Sequence, residues 1–170
     1  DAAEMVLIDY EPLPAVPDVH AAIAEDAELI YPSIGSNLVF ETIKNWDDNV
    51  LAGSTTLVKQ TVVSQRLSGV PMEPIGCMAS ISGDHLTLWV PCQNPVAIAP
   101  LAADLIGVEE SKLRVVAPAV GGGFGSRAGY YVEWGVVGRL ALELGRDIRW
   151  TATRSEDMLM LHHGRGQEIE

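Results

Sequence analysis

Cysteine is nearly absent from this chain: Cys77 and Cys92 are the only two in 170 residues, and neither belongs to a Cys-x-x-Cys pair. A disulfide framework, a structural zinc site and an iron–sulfur cluster therefore lack ligands here, and a reducing cytoplasm is the expected compartment. Positive charge is scarce too, with 11 Lys and Arg against 23 Asp and Glu and a formal net charge of -12. Such a surface repels phosphate backbones and anionic lipid, which argues against nucleic acid or a membrane as partner. No apolar run approaches the roughly 20 residues that cross a bilayer. The acidic opening DAAEMV is unlike a signal peptide, so a soluble protein is expected. Asp1 in place of a methionine, and the closing GRGQEIE without a turn or cap, lead us to expect that both ends are cuts in a longer chain.

What is present suits a packed core. With 48% hydrophobic and 20% charged residues, the chain can build one ordinary core or two small ones. MVLIDY alternates like a half-buried strand, and the prolines of EPLPAVPDV end any ladder or helix, giving a terminal strand and then a linker. His20 to Asp26 offers no more than a helical turn, and YPSIGSN is turn chemistry. From Asn37, NLVFETI, LVKQTVVSQRL, PIGCMASIS and HLTLWV read as strands, with Ser82, Gly83 and Asp84 as a hairpin turn. VAIAPLAADLIGV reads as an apolar helix broken near its start by Pro100, and SKLRVVAPAV as a largely buried strand. YYVEWGVVGRLALELG carries a helical stripe ending at Gly145, followed by the strand DIRWTA and a short helix that Ser155 is placed to cap. The expected fold class is α+β: an antiparallel, strand-rich first half, then alternating helix and strand.

The chemistry-bearing stretch is APAVGGGFGSR, with Gly121, Gly122, Gly123 and Gly125 between a buried strand and a helix. Glycines let the backbone approach a bulky ligand, and free amides with a helix N-terminus favour anionic oxygens. The plainer reading is a tight turn needing positive φ, but four glycines around one phenylalanine favour a ligand-facing loop. Gly123, Gly125 and Ala128 also satisfy the loose dinucleotide fingerprint. The ribose acid that fingerprint wants is missing; DIRWTATR offers Arg149 and Arg154 instead, which would have to serve a 2′-phosphate. A P-loop is excluded because no Gly-Lys-Ser or Gly-Lys-Thr follows. In PCQNP, Gln93 stands just past a strand, where its amide can donate to a ligand oxygen, cap the next helix or face solvent.

LTLWVPCQNP, then KLRVVAPAVGGGFGSR, then ELGRDIRWTATRSEDMLMLHHGR, together with PMEP at 71–74 and DYEPLPAV at 9–16, resemble in order and spacing the molybdopterin-binding large subunits of the xanthine dehydrogenase, aldehyde oxidase and carbon monoxide dehydrogenase family. The resemblance implies that residues 1–16 are the last strand of a truncated hammerhead-like α+β domain, 17–36 a linker, and 37–170 the first part of the molybdenum-cofactor-binding domain. It implies that Gln93 hydrogen-bonds an oxygen or sulfur ligand on molybdenum, and that Gly122, Gly123, Phe124 and Gly125 approach the metal ligands and the pterin with backbone amides. The implied cofactor is molybdenum with molybdopterin, expected as the cytosine dinucleotide. Iron–sulfur centres and FAD would sit on partner subunits or domains, beside the remainder of the large subunit. The implied reaction is oxidative hydroxylation of a small substrate with water as the oxygen source.

No catalytic base and no metal ligand is assigned, because the family's glutamate base and the cysteine of carbon monoxide dehydrogenases are expected outside this stretch. Val96 and Ala99 stand where many relatives have histidine and arginine, and Ala128 stands where purine-oxidising enzymes place a glutamate, which argues against purines. Alone, the piece is expected to be inactive, to hold no cofactor and to be prone to self-association. The alternatives are a nicotinamide dinucleotide-binding domain and a noncatalytic assembly module. Glu133 and Glu143 read as a solvated helix face, and adjacent His162 and His163 cannot both face one metal from a helix. Met158, Met160 and Leu161 read as packing, and the stretch at Arg154 and Glu156 as structural.

Overall fold

The computed structural model describes residues 2–42 and 51–170, and the chain divides into two units, Asp1–Gln60 and Thr61–Glu170. In the first, a 3-10 turn at Ala2–Met5 leads through extended backbone to helix α1 (Val19–Ile23), capped by Asp18 accepting from the Ala21 amide at 2.8 Å. Val6 to Tyr10 forms no strand: the side chains are exposed and no described residue pairs with them, and alternation alone cannot make a strand without a neighbouring ladder. NLVFETI is likewise no strand over its described residues, and its Ile43 lies outside them. There Asn37 turns inward on its own unit, donating to the carbonyls of Ala22 (3.0 Å) and Glu28 (2.8 Å) and accepting from the Ile30 amide (2.9 Å). The structural division at 60/61 thus differs from the boundaries at 16 and 36 expected from the sequence.

The second unit holds a four-stranded sheet. Its strands are β3 (Gly76–Ser82), β4 (His85–Trp89), β5 (Leu113–Val116) and β6 (Ile148–Thr151), in the order β5-β4-β3-β6; β1 (Val62–Ser64) and β2 (Leu67–Ser68) precede it. Hairpin β3–β4 runs in register from Met78 opposite Trp89 to Ser82 opposite His85, turning at Gly83 with φ 64°. Helix α2 (Pro95–Ile106) then carries the chain over one face, so that β5 lies parallel to β4. Helix α3 (Val132–Leu144) covers the same face and returns the chain to β6, antiparallel to β3 on the far edge. The α+β class is as expected, an antiparallel hairpin joined to a parallel crossover. The long run LVKQTVVSQRL yields only β1 and β2, which pair with β8 (Gln167–Ile169) and β7 (His163–Gly164) as separate two-stranded ribbons.

The core follows from the alternation. Cys77 and Ala79 of β3 and Leu86 and Leu88 of β4 point under the helices and meet Ile98, Ala102, Ile106, Trp134, Val137 and Ala141. Helices α2 and α3 pack closely because Gly138 has no side chain; a Cβ there would lie 2.6 Å from Cδ1 of Ile106. Pro100 does not break α2. It removes a single rung at the sixth of twelve residues, while the Asn94 cap, Pro95 at the first turn and Gly107 in the left-handed region hold the helix through Ile106. Helix α4 (Arg154–Met160) is capped by Thr153 in a reciprocal box with Glu156, not by Ser155, which lies inside the helix. Buried Asp157 of α4 accepts from the Ile75 amide at 2.8 Å and from Arg154 at 2.6 Å, and Arg154 reaches the carbonyls of Pro71 and Met72. Among the described residues no helix is long and apolar enough to cross a membrane.

Asp157→Ala strands the Ile75 amide and frees α4 from the segment before β3, so urea denaturation should show a loss of about 3 kcal/mol. Burial, and then Glu133, pushes the Cys77 thiol up from 9.0 to about 12. The folded state thus keeps a proton that the unfolded chain releases. The stability this gives is complete below pH 9 and is lost as pH rises from 9 toward 12. Melting temperature should fall on going from pH 8 to 10.5, and fall less in Cys77→Ala.

Candidate functional site at the ends of two parallel strands

Parallel pairing puts the carboxyl ends of neighbouring strands side by side, the place where open sheets bind ligands. Trp89 is level with Val116, and the Val90 amide donates to the Val116 carbonyl at 3.0 Å. The two chains leave the sheet together, so Gln93, beyond β4, meets the loop 121–127, beyond β5. The Gln93 side chain accepts from the Gly125 amide through Oε1 at 2.9 Å, and its own backbone amide donates to the Arg127 carbonyl at 3.0 Å. A Cβ at Gly123 would stand 2.6 Å from that Oε1, so the close approach requires glycine.

The loop winds tightly. Gly122, Phe124 and Gly125 have φ of 107°, 52° and 83°, and the amide and hydroxyl of Ser126 both donate to the Gly123 carbonyl, at 3.0 and 2.7 Å. The Tyr131 hydroxyl donates to the Ser126 carbonyl at 2.6 Å, and the His162 ring stacks on Tyr131 at 5.0 Å and 11°. Phe124 projects 75% exposed past Gly69 and Gly122, either of which would collide with it if given a Cβ. Among the described residues nothing accepts from the amides of Gly122, Gly123 or Phe124. With Oε1 held by Gly125, the two N–H groups of the Gln93 amide are likewise left to donate. The result is a cluster of unpaired donors beside one apolar ring, suited to a ligand rich in oxygen, nitrogen or sulfur acceptors.

Every residue expected to bind cofactor, Gln93 and Gly122 through Gly125, is thus brought to one place. The expected contribution of a helix N-terminus is not there: α3 begins at Val132, and the chain between Gly125 and Tyr131 is irregular. The donors are loop amides. The dinucleotide reading loses its geometry for the same reason, and because β6, the strand after α3, lies on the opposite edge of the sheet from β5. Arg154 is occupied by Asp157 and two carbonyls.

Two residues escaped sequence reasoning. Arg127 is fully buried and pairs with Glu73, whose Oε2 also accepts from the Gly121 amide at 2.7 Å. The pair spans 54 residues, and an arginine after a glycine loop gave no sign of facing inward. Glu143 pairs with Arg139 on the surface at 2.8 Å. His163 lies in β7, apart from the Tyr131–His162 stack, and among the described residues no group of three His, Cys, Asp or Glu could hold a metal. One cavity of about 310 Å³ is lined by Glu73 and by Val90, Pro91 and Pro118 just past the ends of β4 and β5, and another of about 650 Å³ is bordered by Leu140 and Trp150. Gln93 and residues 122–125 line neither of them.

The family described as molybdopterin cofactor-binding domain matches residues 30–170. The carbon monoxide dehydrogenase large chains of Hydrogenophaga pseudoflava and Afipia carboxidovorans are 31% and 33% identical to this chain, each over 93% of it and 22% of the relative. The crystal structure of quinoline 2-oxidoreductase from Pseudomonas putida 86 superposes with a TM-score of 0.86 at 31% identity, covering 98% of this chain and 22% of that one. The chain thus spans about a fifth of the length of these relatives.

Gly123→Ala should push the Gln93 amide off Gly125. In NMR spectra the side-chain NH2 signals of Gln93 and the Gly125 amide should move, while those of β3 and β4 stay in place.

Proposed function

The chain belongs to the molybdopterin cofactor-binding domain family, and from that premise we propose that it forms one wall of the molybdenum cofactor site in the large subunit of a molybdenum hydroxylase. The reading is carried by one observation: Gln93 converges on the loop 122–125, and the amides of Gly122, Gly123 and Phe124 find no acceptor among the described residues. The donor set fits the group, since molybdopterin and the ligands of its metal are acceptor-rich. Gln93 would donate through Nε2 to an acceptor atom of the cofactor, its orientation fixed by Gly125 on the other end of the amide. The amides of Gly122, Gly123 and Phe124 would donate beside it, and the missing side chain at Gly123 lets cofactor and backbone come close. Phe124 would shield one side of these bonds from water.

When bound, the cofactor supplies two-electron redox chemistry that protein side chains lack. In the full subunit a small substrate would gain an oxygen atom from water and give up two electrons and two protons. Iron–sulfur and FAD partners would carry the electrons away, and the cofactor would be the cytosine dinucleotide form. These donors position the cofactor, and proton abstraction from water or substrate falls to residues outside this stretch. Ala128, beside the donors, offers no carboxylate to a purine, so a non-purine substrate is proposed. The 170 residues alone would be inactive, because a site assembled from several segments loses most of its contacts when one stands by itself.

The full-length gene product, copurified with its neighbouring subunits, should contain stoichiometric molybdenum and released pterin, and Gly123→Leu should lose both. A well-folded, fully assembled sample without molybdenum would contradict the reading.

A further inference from the structure

Among the described residues Arg127 is the one fully buried arginine, and a buried guanidinium without a partner is costly. Its Nη1 donates to Glu73 Oε2 at 2.5 Å and its Nη2 to the Glu73 carbonyl, while its Nε has no acceptor among the described residues. Among the described residues Glu73 therefore supplies every acceptor this side chain has. The same Oε2 accepts from the Gly121 amide at 2.7 Å, and a Cβ on Gly121 would strike Cβ of Glu73 at 2.4 Å. One carboxylate oxygen thus holds the first residue of the glycine loop and the side chain of the last. The backbone carbonyl of that last residue in turn takes the Gln93 amide. Each of these bonds ends on the loop or on Gln93, and the core under α2 and α3 uses none of them.

We propose that Glu73 is the positioning residue of the cofactor loop, closing residues 121–127 into the shape that turns the amides of Gly122, Gly123 and Phe124 outward. The inference rests on the functional reading above for what the loop binds, and on geometry alone for what shapes it. Glu73→Gln keeps an acceptor for Gly121 but leaves the buried charge of Arg127 uncompensated. Glu73→Gln with Arg127→Met removes both charges at similar volume, so general stability should return while the tie between the loop ends does not.

The test uses the full-length subunit with its neighbours and reads backbone amide exchange in peptides covering 117–131 and 76–90, alongside molybdenum per protein. Glu73→Gln should speed exchange about tenfold in the first peptide and leave the second unchanged, with molybdenum falling severalfold. The double variant should recover the wild-type melting temperature yet keep the fast-exchanging loop. Unchanged exchange at 117–131 in Glu73→Gln overturns the proposal. So does equal acceleration in both peptides, which would make Glu73 a general support of the fold. Molybdenum missing from the wild-type protein refutes the cofactor reading alone, since exchange reports the loop whether or not it is loaded.

Discussion

The parallel register of β4 on β5 is the constraint from which the site follows. Leu86 opposite Leu113 and Trp89 opposite Val116 bring two strand ends level, and only then can a glutamine four residues past one strand reach a loop five to eleven residues past the other. The register is set by burial. Leu86, Leu88 and Leu113 lie under α2 and α3, and a slip of one residue would turn each of them out to solvent. Gly138 contributes at a distance, since the close contact of α3 with Ile106 helps keep α2, the crossover between the two strands, against the sheet.

On this frame most side-chain polar groups of the loop find partners, while three of its backbone amides find none among the described residues. Glu73 takes Nη1 and Nη2 of Arg127, and the Gly123 and Ser126 carbonyls take the Ser126 and Tyr131 hydroxyls, while Nε of Arg127 finds no acceptor among the described residues. The amides of Gly122, Gly123 and Phe124 have no acceptor among the described residues. Left-handed backbone at Phe124 costs about 1–3 kcal/mol, and a fold tolerates that where neighbouring contacts over-determine the conformation. Here they are the flanking Gly69 and Gly122 and the two ends of the loop held at Glu73. Strain and unpaired donors in one short segment mark a binding surface more sharply than either would alone.

Local signals in the sequence were legible where they acted locally. The β3–β4 hairpin, α3 with its Gly145 cap, and the glycine loop can be read from alternation, a helical stripe and composition. Gln93 needed its neighbours, since a lone glutamine after a strand is uninformative until the loop is seen beside it. Other features depend on partners the sequence does not place next to them. MVLIDY alternates but has no ladder among the described residues, and Pro100 looks like a break but costs one rung of a well-capped helix. Thr153 outcompetes Ser155 because Glu156 stands three residues after it and closes the box. The Glu73–Arg127 pair joins segments 54 residues apart, and nothing nearby in sequence marks Arg127 as buried or Glu73 as its partner. The family resemblance covered what single residues could not, since PMEP, Gln93 and the glycine loop carry weight as a set.

The most direct measurement is a crystal structure of the full-length subunit with its cofactor. Gln93 Nε2 should lie within hydrogen-bonding distance of a cofactor atom while Oε1 keeps the Gly125 amide, and at least one amide among Gly122, Gly123 and Phe124 should donate to the cofactor or a ligand of its metal. A cofactor bound away from the ends of β4 and β5, with those amides facing solvent, would contradict the assignment of this edge as its site.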